Sequence, residues 1–209
     1  MDKPSLKYHA VTISGKIAVG TSTLAQNLKQ ILNWKYINAG DIQRQYDREH
    51  GINENKQGAF SRPDIHEKEI DEMTKKMLSR EKDIIYEAWL SGFMARDISG
   101  VFKILIVCSD DAIRIDRVMN RDGISLDEAK HFIRQREEEN IAKWKKLYGF
   151  PKSPSPALSV REKLPFSGVC RKSWFGRLFP PASISAIMQG LIDFFWKKQK
   201  NKTTKSPKK

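Results

Sequence analysis

The stretch Gly15-Lys16-Ile17-Ala18-Val19-Gly20-Thr21-Ser22-Thr23 decides the reading of this chain. It follows an apolar, strand-forming run, Tyr8–Ser14, and precedes Leu24, Leu28, Ile31 and Leu32, which recur at helical spacing. Strand, glycine loop and helix form the context a phosphate-binding loop needs. Glycines let the backbone curl so that successive N–H groups face phosphate oxygens, and the helix N-terminus adds partial positive charge. Ser22 stands where the pattern places a hydroxyl for Mg²⁺, and it is also a candidate helix N-cap. The lysine that normally reaches the β- and γ-phosphates is replaced by Thr21. Lys16, inside the loop, is a candidate for the missing charge, delivered within the chain or from a partner subunit.

Outward from the loop, strands and helices alternate. Trp34–Asn38 reads as a second strand and Gly40–His50 as a helix. Pro63 opens another helix with Ile65, Ile70, Met73 and Met77 as its apolar positions. Asp83–Trp89 and Val101–Cys108 are runs of strand length that suit buried parallel strands. Asp110 or Asp111 caps a helix to Asn120, and Ser125-Leu126-Asp127-Glu128 is a capping box opening a long helix toward Tyr148. The expected fold is α/β, a P-loop NTPase-type doubly wound parallel sheet with ligands at the strand carboxyl ends.

Candidate site residues gather at those predicted ends. After the second strand, Gly40 permits close backbone approach and Arg44 can fork onto a phosphate. Glu87 ends the third strand, where a carboxylate can hold the waters around Mg²⁺. Arg114, Arg117 and Arg121 share a helix face, and Arg134 and Arg136 follow across the turn Asp122-Gly123-Ile124. Phosphoryl transfer needs positive charge around the transferring oxygens with water excluded, and an arginine-bearing helical hairpin that closes over its substrates supplies both. The competing expectation is a solvated helix salt-bridged to Glu137, Glu138 and Glu139.

Composition splits the chain. The formal net charge is +13, yet residues 1–150 hold 25 Lys/Arg against 23 Asp/Glu, while residues 151–209 hold 13 Lys/Arg against Glu162 and Asp193 alone. Six of the nine prolines lie from Pro151 to Pro181. A body of this size can enclose one core. Cys108 and Cys170 form no metal spacing, and neither do His9, His50, His66 and His131. No apolar run approaches the roughly 20 residues of a membrane span, and the polar N-terminus does not read as a signal peptide. A cytoplasmic monomer is expected.

Five segments in this order resemble a known family: the P-loop with Thr21 in the lysine position, Ala39-Gly40-Asp41-Ile42 leading to Arg44, Ile84-Ile85-Tyr86-Glu87, Arg114–Gly123, and Arg136 leading to Tyr148-Gly149. The chain from about residue 8 to 149 is similar to the cytidylate kinase-like group of nucleoside monophosphate kinases, especially its short archaeal-type branch, in which Thr commonly replaces the P-loop lysine. The resemblance implies transfer of the γ-phosphoryl of ATP to CMP or dCMP with Mg²⁺, on a core bearing a monophosphate-binding insert and an arginine-bearing helical lid. It implies that Gly15 through Thr23 cradle ATP, with Ser22 and Glu87 on the Mg²⁺ side. It places Arg44 at the acceptor phosphate, counts Asp41 among the substrate-binding residues, and sets Arg62 and Asp64, within 58–71, in the insert that reads the base. Arg114, Arg117, Arg121 and Arg136 would close over the transferring group. Where the family often has Arg soon after the strand-three Glu, this chain has Ala88 and Trp89; Arg96 is the candidate replacement.

Beyond Gly149 the expectations divide. Residues 1–149 form the kinase core, and 150–182 a divergent Pro-rich basic segment: a true insertion, a divergent loop or the product of a reading-frame slip. Ile184, Ile187, Met188, Leu191, Ile192 and Phe195 pattern an amphipathic closing helix over 183–200, followed by a lysine-rich tail over 201–209. A different class of function is a nucleotide-binding module with a degenerate P-loop, its tail on nucleic acid and Trp174, Phe175 and Phe179 stacking on bases. The tail as a solubilising segment is the simpler expectation. A third is the amphipathic helix lying on an anionic membrane, disfavoured because the body needs that apolar face. Within the kinase class, UMP or AMP are the alternative acceptors.

Overall fold

The computed structural model describes residues 8–52 and 59–149. Expectations for Gly58 and for residues 150–209 lie outside the described residues. Four strands, β1 (Ala10–Gly15), β2 (Lys35–Asn38), β3 (Ile84–Glu87) and β4 (Val101–Ile106), form one parallel sheet in the order β2-β3-β1-β4. The helices are α1 (Thr21–Leu32), α2 (Ala39–Glu49), α3 (Asp64–Arg80), α4 (Ser91–Met94), α5 (Asp111–Asp122) and α6 (Leu126–Tyr148), with a 3-10 turn at Ala59–Ser61.

Strand residues alternate between two apolar layers, as their period of two requires. Val11, Ile13 and Ile85 pack with Ala25, Leu28 and Trp34 under α1. Ala10, Ile84, Tyr86 and Val101 pack with Ala39, Leu78 and Ala95 on the opposite face. Burying each large aliphatic side chain contributes roughly 1.5–3 kcal/mol. Both faces being covered explains the nearly continuous apolar strands. The register Asn38↔Glu87↔Ile13 brings the carboxyl ends of β2, β3 and β1 level.

Several expected boundaries move, for local reasons. Ser22 is not the cap of α1. Gly20, at φ 101, precedes a helix that already starts at Thr21. Asn33 and Asp83 adopt left-handed φ of 52° and 58°, so β2 begins after Trp34 and β3 after Asp83. Asn38 caps α2 by accepting from Gly40 N at 2.8 Å, which starts that helix at Ala39. Ile65, expected on the buried face of α3, is 64% exposed; His66, Glu67, Thr74 and Leu78 point inward instead. β4 ends at Ile106 and leaves Val107 exposed. α5 runs on to Asp122, where Gly123 closes it at φ 65, and the Ser125/Glu128 capping box starts α6. α4 carries too few residues to show a sequence period. Buried Ser91 pins it to β1: Ser91 Oγ meets Ser14 Oγ at 3.0 Å and donates to Ile13 O at 3.1 Å.

Candidate active site

The loop between β1 and α1 closes tightly on itself. A Cβ on Gly15 would stand 2.6 Å from Val19 Cγ2, 2.8 Å from Thr21 Cγ2 and 3.1 Å from Ile106 O. Only glycine fits there. Ala18 (φ 59) and Gly20 (φ 101) are both left-handed, and they turn the chain into α1, whose first turn carries no acidic residue and no side-chain cap. That leaves the helix terminus suited to an anion. Thr21 directs its methyl group back at Gly15 and brings no charge. Lys16 Nζ lies 3.1 Å from Glu137 Oε2 on α6, so its charge is paired with that helix.

Two arginines of α5 grip the loop. Arg114 is buried; its Nε donates to Ile17 O at 3.0 Å, its Nη1 meets Asp111 Oδ1 at 2.8 Å, and its Nη2 pairs with Glu137. Arg117 Nη1 donates to Ala18 O at 2.9 Å and would stand 3.7 Å from a Cβ on Gly20. Glu137 therefore bridges Lys16 and Arg114, tying the hairpin of α5 and α6 to the loop.

Glu87, buried at the end of β3, receives one hydroxyl on each carboxylate oxygen. Ser22 Oγ donates to Oε1 at 2.8 Å, and Tyr36 OH donates to Oε2. Burial, and then the Glu87 contact, pushes the Tyr36 phenol well above its ordinary pKa, so it stays a donor. Two residues after Glu87, the Trp89 indole packs edge-on against Trp144, at 5.0 Å between ring centroids, and its buried N–H has no partner among the described residues.

On the other side of the sheet end, Arg44 folds back to pair with Asp41 and passes Gly40, where a Cβ would lie 3.3 Å from its Nη1. Arg62 is buried between two carboxylates: Nε to Glu67 Oε1 at 2.8 Å and Nη1 to Asp47 Oδ2 at 2.9 Å. Lys143 of α6, fully enclosed, donates to Ala59 O at 2.7 Å and to Arg62 O, so α6 fixes the turn that presents Arg62.

Arg136 reports how these groups meet. Its pKa falls to about 10, first through burial, then through the charges of Arg121, Arg62 and Arg44, with Asp122 opposing. Four guanidiniums from three parts of the chain thus share one region. Arg121 is half exposed and pairs with its neighbour Asp122 at 2.7 Å, while Arg136 lies over the Phe132 ring at 5.2 Å.

Other expected site residues are held in pairs of their own. Asp64 pairs with Lys146 at 2.6 Å and Lys143 at 3.7 Å, joining α3 to α6. Arg96 turns onto Asp97 at 3.0 Å and the Phe93 ring at 4.1 Å. Arg114, expected over the transferring group, is enclosed and fully engaged with the loop and Glu137. Arg134 makes a surface pair with Glu138 at 3.0 Å. Sequence reasoning missed Tyr36, Asp47, Glu67 and Lys143; Glu137 it names as a salt-bridge partner of the hairpin arginines, which it is for Arg114. Only the Tyr36/Asn38 alternation facing Ile85/Glu87 carried a signal, and it needed the strand register to be read.

Among the described residues no group of three His, Cys, Asp or Glu side chains forms a metal-binding cluster, and no helix is long and apolar enough to cross a membrane.

Residues 10–153 match the model of the cytidylate kinase-like family. The chain is 32% identical over 196 residues to a cytidylate kinase of Thermococcus sibiricus, covering 92% of each chain. It is 29% identical over 192 residues to that of Pyrococcus abyssi, covering 90% of this chain and 96% of the other. Against that of Ignicoccus hospitalis it is 34% identical over 142 residues, or 67% and 80% of the two chains.

Proposed function

Since the chain belongs to the cytidylate kinase-like family, we propose that this nucleoside monophosphate kinase transfers the γ-phosphoryl group of ATP to CMP or dCMP. The observation that carries the reading is the loop closed over Gly15 before the uncapped N-terminus of α1, with the Ser22–Glu87 pair beside it; the charges of Arg121, Arg62 and Arg44 acting on Arg136 agree with it. Guanidiniums that repel one another in the free protein are stabilised when multiply charged phosphates enter between them, and most strongly when charge spreads in the transition state.

Gly15 through Thr23 wrap the donor phosphates with backbone N–H groups. Arg117, beside Gly20, serves the donor side. Arg114 and Lys16 act as positioning residues, holding the loop through Ile17 O and Glu137. Arg44, aligned by Asp41, and Arg62, aligned by Asp47 and Glu67, grip the acceptor phosphate. An acceptor oxygen is already ionised at neutral pH, so it attacks the γ-phosphorus without a general base. The bond to the β–γ bridging oxygen breaks, and ADP leaves with that electron pair. Arg121 and Arg136 face the equatorial oxygens. Asp64 and Arg96, engaged elsewhere, are assigned no part in this reading.

Ser22 Oγ and Glu87 Oε1, 2.8 Å apart at the loop, are hard oxygen donors. They match what Mg²⁺ takes from a protein when phosphates and water fill its other positions, so these two residues would hold it. When bound it neutralises charge on the β- and γ-phosphates.

The test is coupled ADP release with ATP and Mg²⁺ against CMP, dCMP, UMP and AMP, comparing wild type with Arg44→Ala. Turnover of CMP or dCMP that collapses in the variant is the expected result. A preference for AMP or UMP would overturn the base assignment alone. A folded protein with no turnover would overturn the kinase reading in favour of a nucleotide-binding module.

A further inference from the structure

We propose that Tyr36 is a positioning residue for the metal-side carboxylate, its hydroxyl holding Glu87 in the one orientation that serves the donor phosphates. The inference rests on the reading of Ser22 and Glu87 given above.

The geometry begins with strand register. Tyr36 pairs with Ile85 and Asn38 with Glu87, so Tyr36 and Glu87 face the same side of the sheet, two residues apart along neighbouring strands. A phenol spans that offset, and Tyr36 OH donates to Glu87 Oε2. The other oxygen, Oε1, receives Ser22 Oγ at 2.8 Å. The last torsion of a glutamate is broad and roughly two-fold, so an unrestrained carboxylate samples many orientations. Two donors on separate oxygens remove that freedom.

The two donors are not equivalent. Ser22 sits in the first turn of α1 and is itself the hydroxyl placed to hold the metal. Tyr36 lies on β2, outside the loop, with its ring packed against the apolar layer under α1. It is therefore the donor that continues to orient Glu87 when Ser22 is engaged elsewhere. Outer groups of this kind typically change metal affinity by about 10–100-fold when removed.

The test measures Mn²⁺ binding by electron paramagnetic resonance in the presence of saturating ADP, on the full chain. Tyr36→Phe keeps the ring packing and removes only the hydroxyl. About tenfold weaker Mn²⁺ binding is expected, with metal-free ADP affinity unchanged by calorimetry in EDTA. Tyr36→His, which keeps an N–H donor, should recover part of the loss, and it serves as the informative variant if Tyr36→Phe does not fold. In a Glu87→Gln background Tyr36→Phe should add nothing. Wild-type Mn²⁺ affinity in Tyr36→Phe, or an equal further loss in the Glu87→Gln background, overturns the proposal. Undiminished affinity in Glu87→Gln alone overturns the metal reading beneath it, and the proposal with it.

Discussion

Arg62 Nη1 lies 2.9 Å from Asp47 Oδ2, with the arginine 9% and the aspartate 2% exposed. Glu67 meets the same guanidinium at 2.8 Å, so one cation is enclosed by two anions at the junction of α2 and α3. Such a group is costly to assemble but far more costly to break, because the partner left behind stays buried and charged. Gln43 Nε2, 3.2 Å from Glu67 Oε2, satisfies one further lone pair. Arg62→Ala should therefore lower stability by about 3–5 kcal/mol in urea unfolding. It should also weaken the acceptor more than ATP, read as a rise in the KM of the monophosphate. Equal stability to wild type would show the carboxylates to be solvated rather than enclosed.

The arginines of the hairpin should separate into two kinds. Arg114 is enclosed and bound to Ile17 O, Asp111 and Glu137, whereas Arg121 is half exposed and, among the described residues, bound only to its neighbour Asp122. Arg114→Ala should lower the melting temperature and raise the KM for ATP, since the loop loses its brace. Arg121→Ala should leave the melting temperature within about 0.5 kcal/mol equivalent of wild type, as surface changes do, and lower kcat by roughly 10²–10³-fold if it faces the transferring group. Thermal melts beside steady-state kinetics distinguish the two.

Inside the loop, two small substitutions should have opposite signs. Gly15→Ala drives a methyl group to within 2.6 Å of Val19 and 2.8 Å of Thr21, so the loop must open. ATP affinity should fall sharply even where the chain stays folded. Ala18→Gly relieves a left-handed φ of 59°, a conformation that costs an L-residue roughly 1–2 kcal/mol. Glycine loses more entropy on folding, so the net gain should be under about 1 kcal/mol. Calorimetric ATP binding and urea midpoints on both variants check the pair.

The parallel sheet was legible because its strands carry their own signal: Ile84-Ile85-Tyr86 and Val101-Phe102 are apolar on both faces, and the glycine loop fixes which end binds. Boundaries were not, because Asn33, Asp83 and Ala18 take left-handed conformations that composition does not mark for non-glycine residues. At the candidate site, Arg44, Arg62, Arg121 and Arg136 were named from sequence. Their mutual proximity depends on how α6 folds back over the turn before α3, fixed by Lys143 on two carbonyl oxygens. Arg114 and Lys16 read as site charges because an arginine or lysine near a phosphate loop looks the same from sequence whether it faces substrate or backbone. The sequence offers Glu137 as a salt-bridge partner for the hairpin arginines, but the bond of Arg114 to Ile17 O and the pairing of Lys16 with Glu137 only the fold brings together.

Asp71 on α3 should make stability depend on pH in the direction opposite to most carboxylates. It accepts from Tyr148 OH, and burial, followed by the nearby Glu67, raises its pKa from 3.8 to about 7. Between those two values the folded protein holds a proton that the unfolded chain has released. Stability must then fall as pH rises through that window, and the contribution is fully present only below the unfolded value. Asp71→Asn has no proton to lose, and its amide oxygen can still accept from Tyr148. The variant should match wild type near pH 4, exceed it progressively up to about pH 7, and hold a constant advantage above that. Urea midpoints measured at pH steps across the window give the difference directly. A difference that does not change with pH would mean that Asp71 is ionised throughout and that Tyr148 alone supports the charged form.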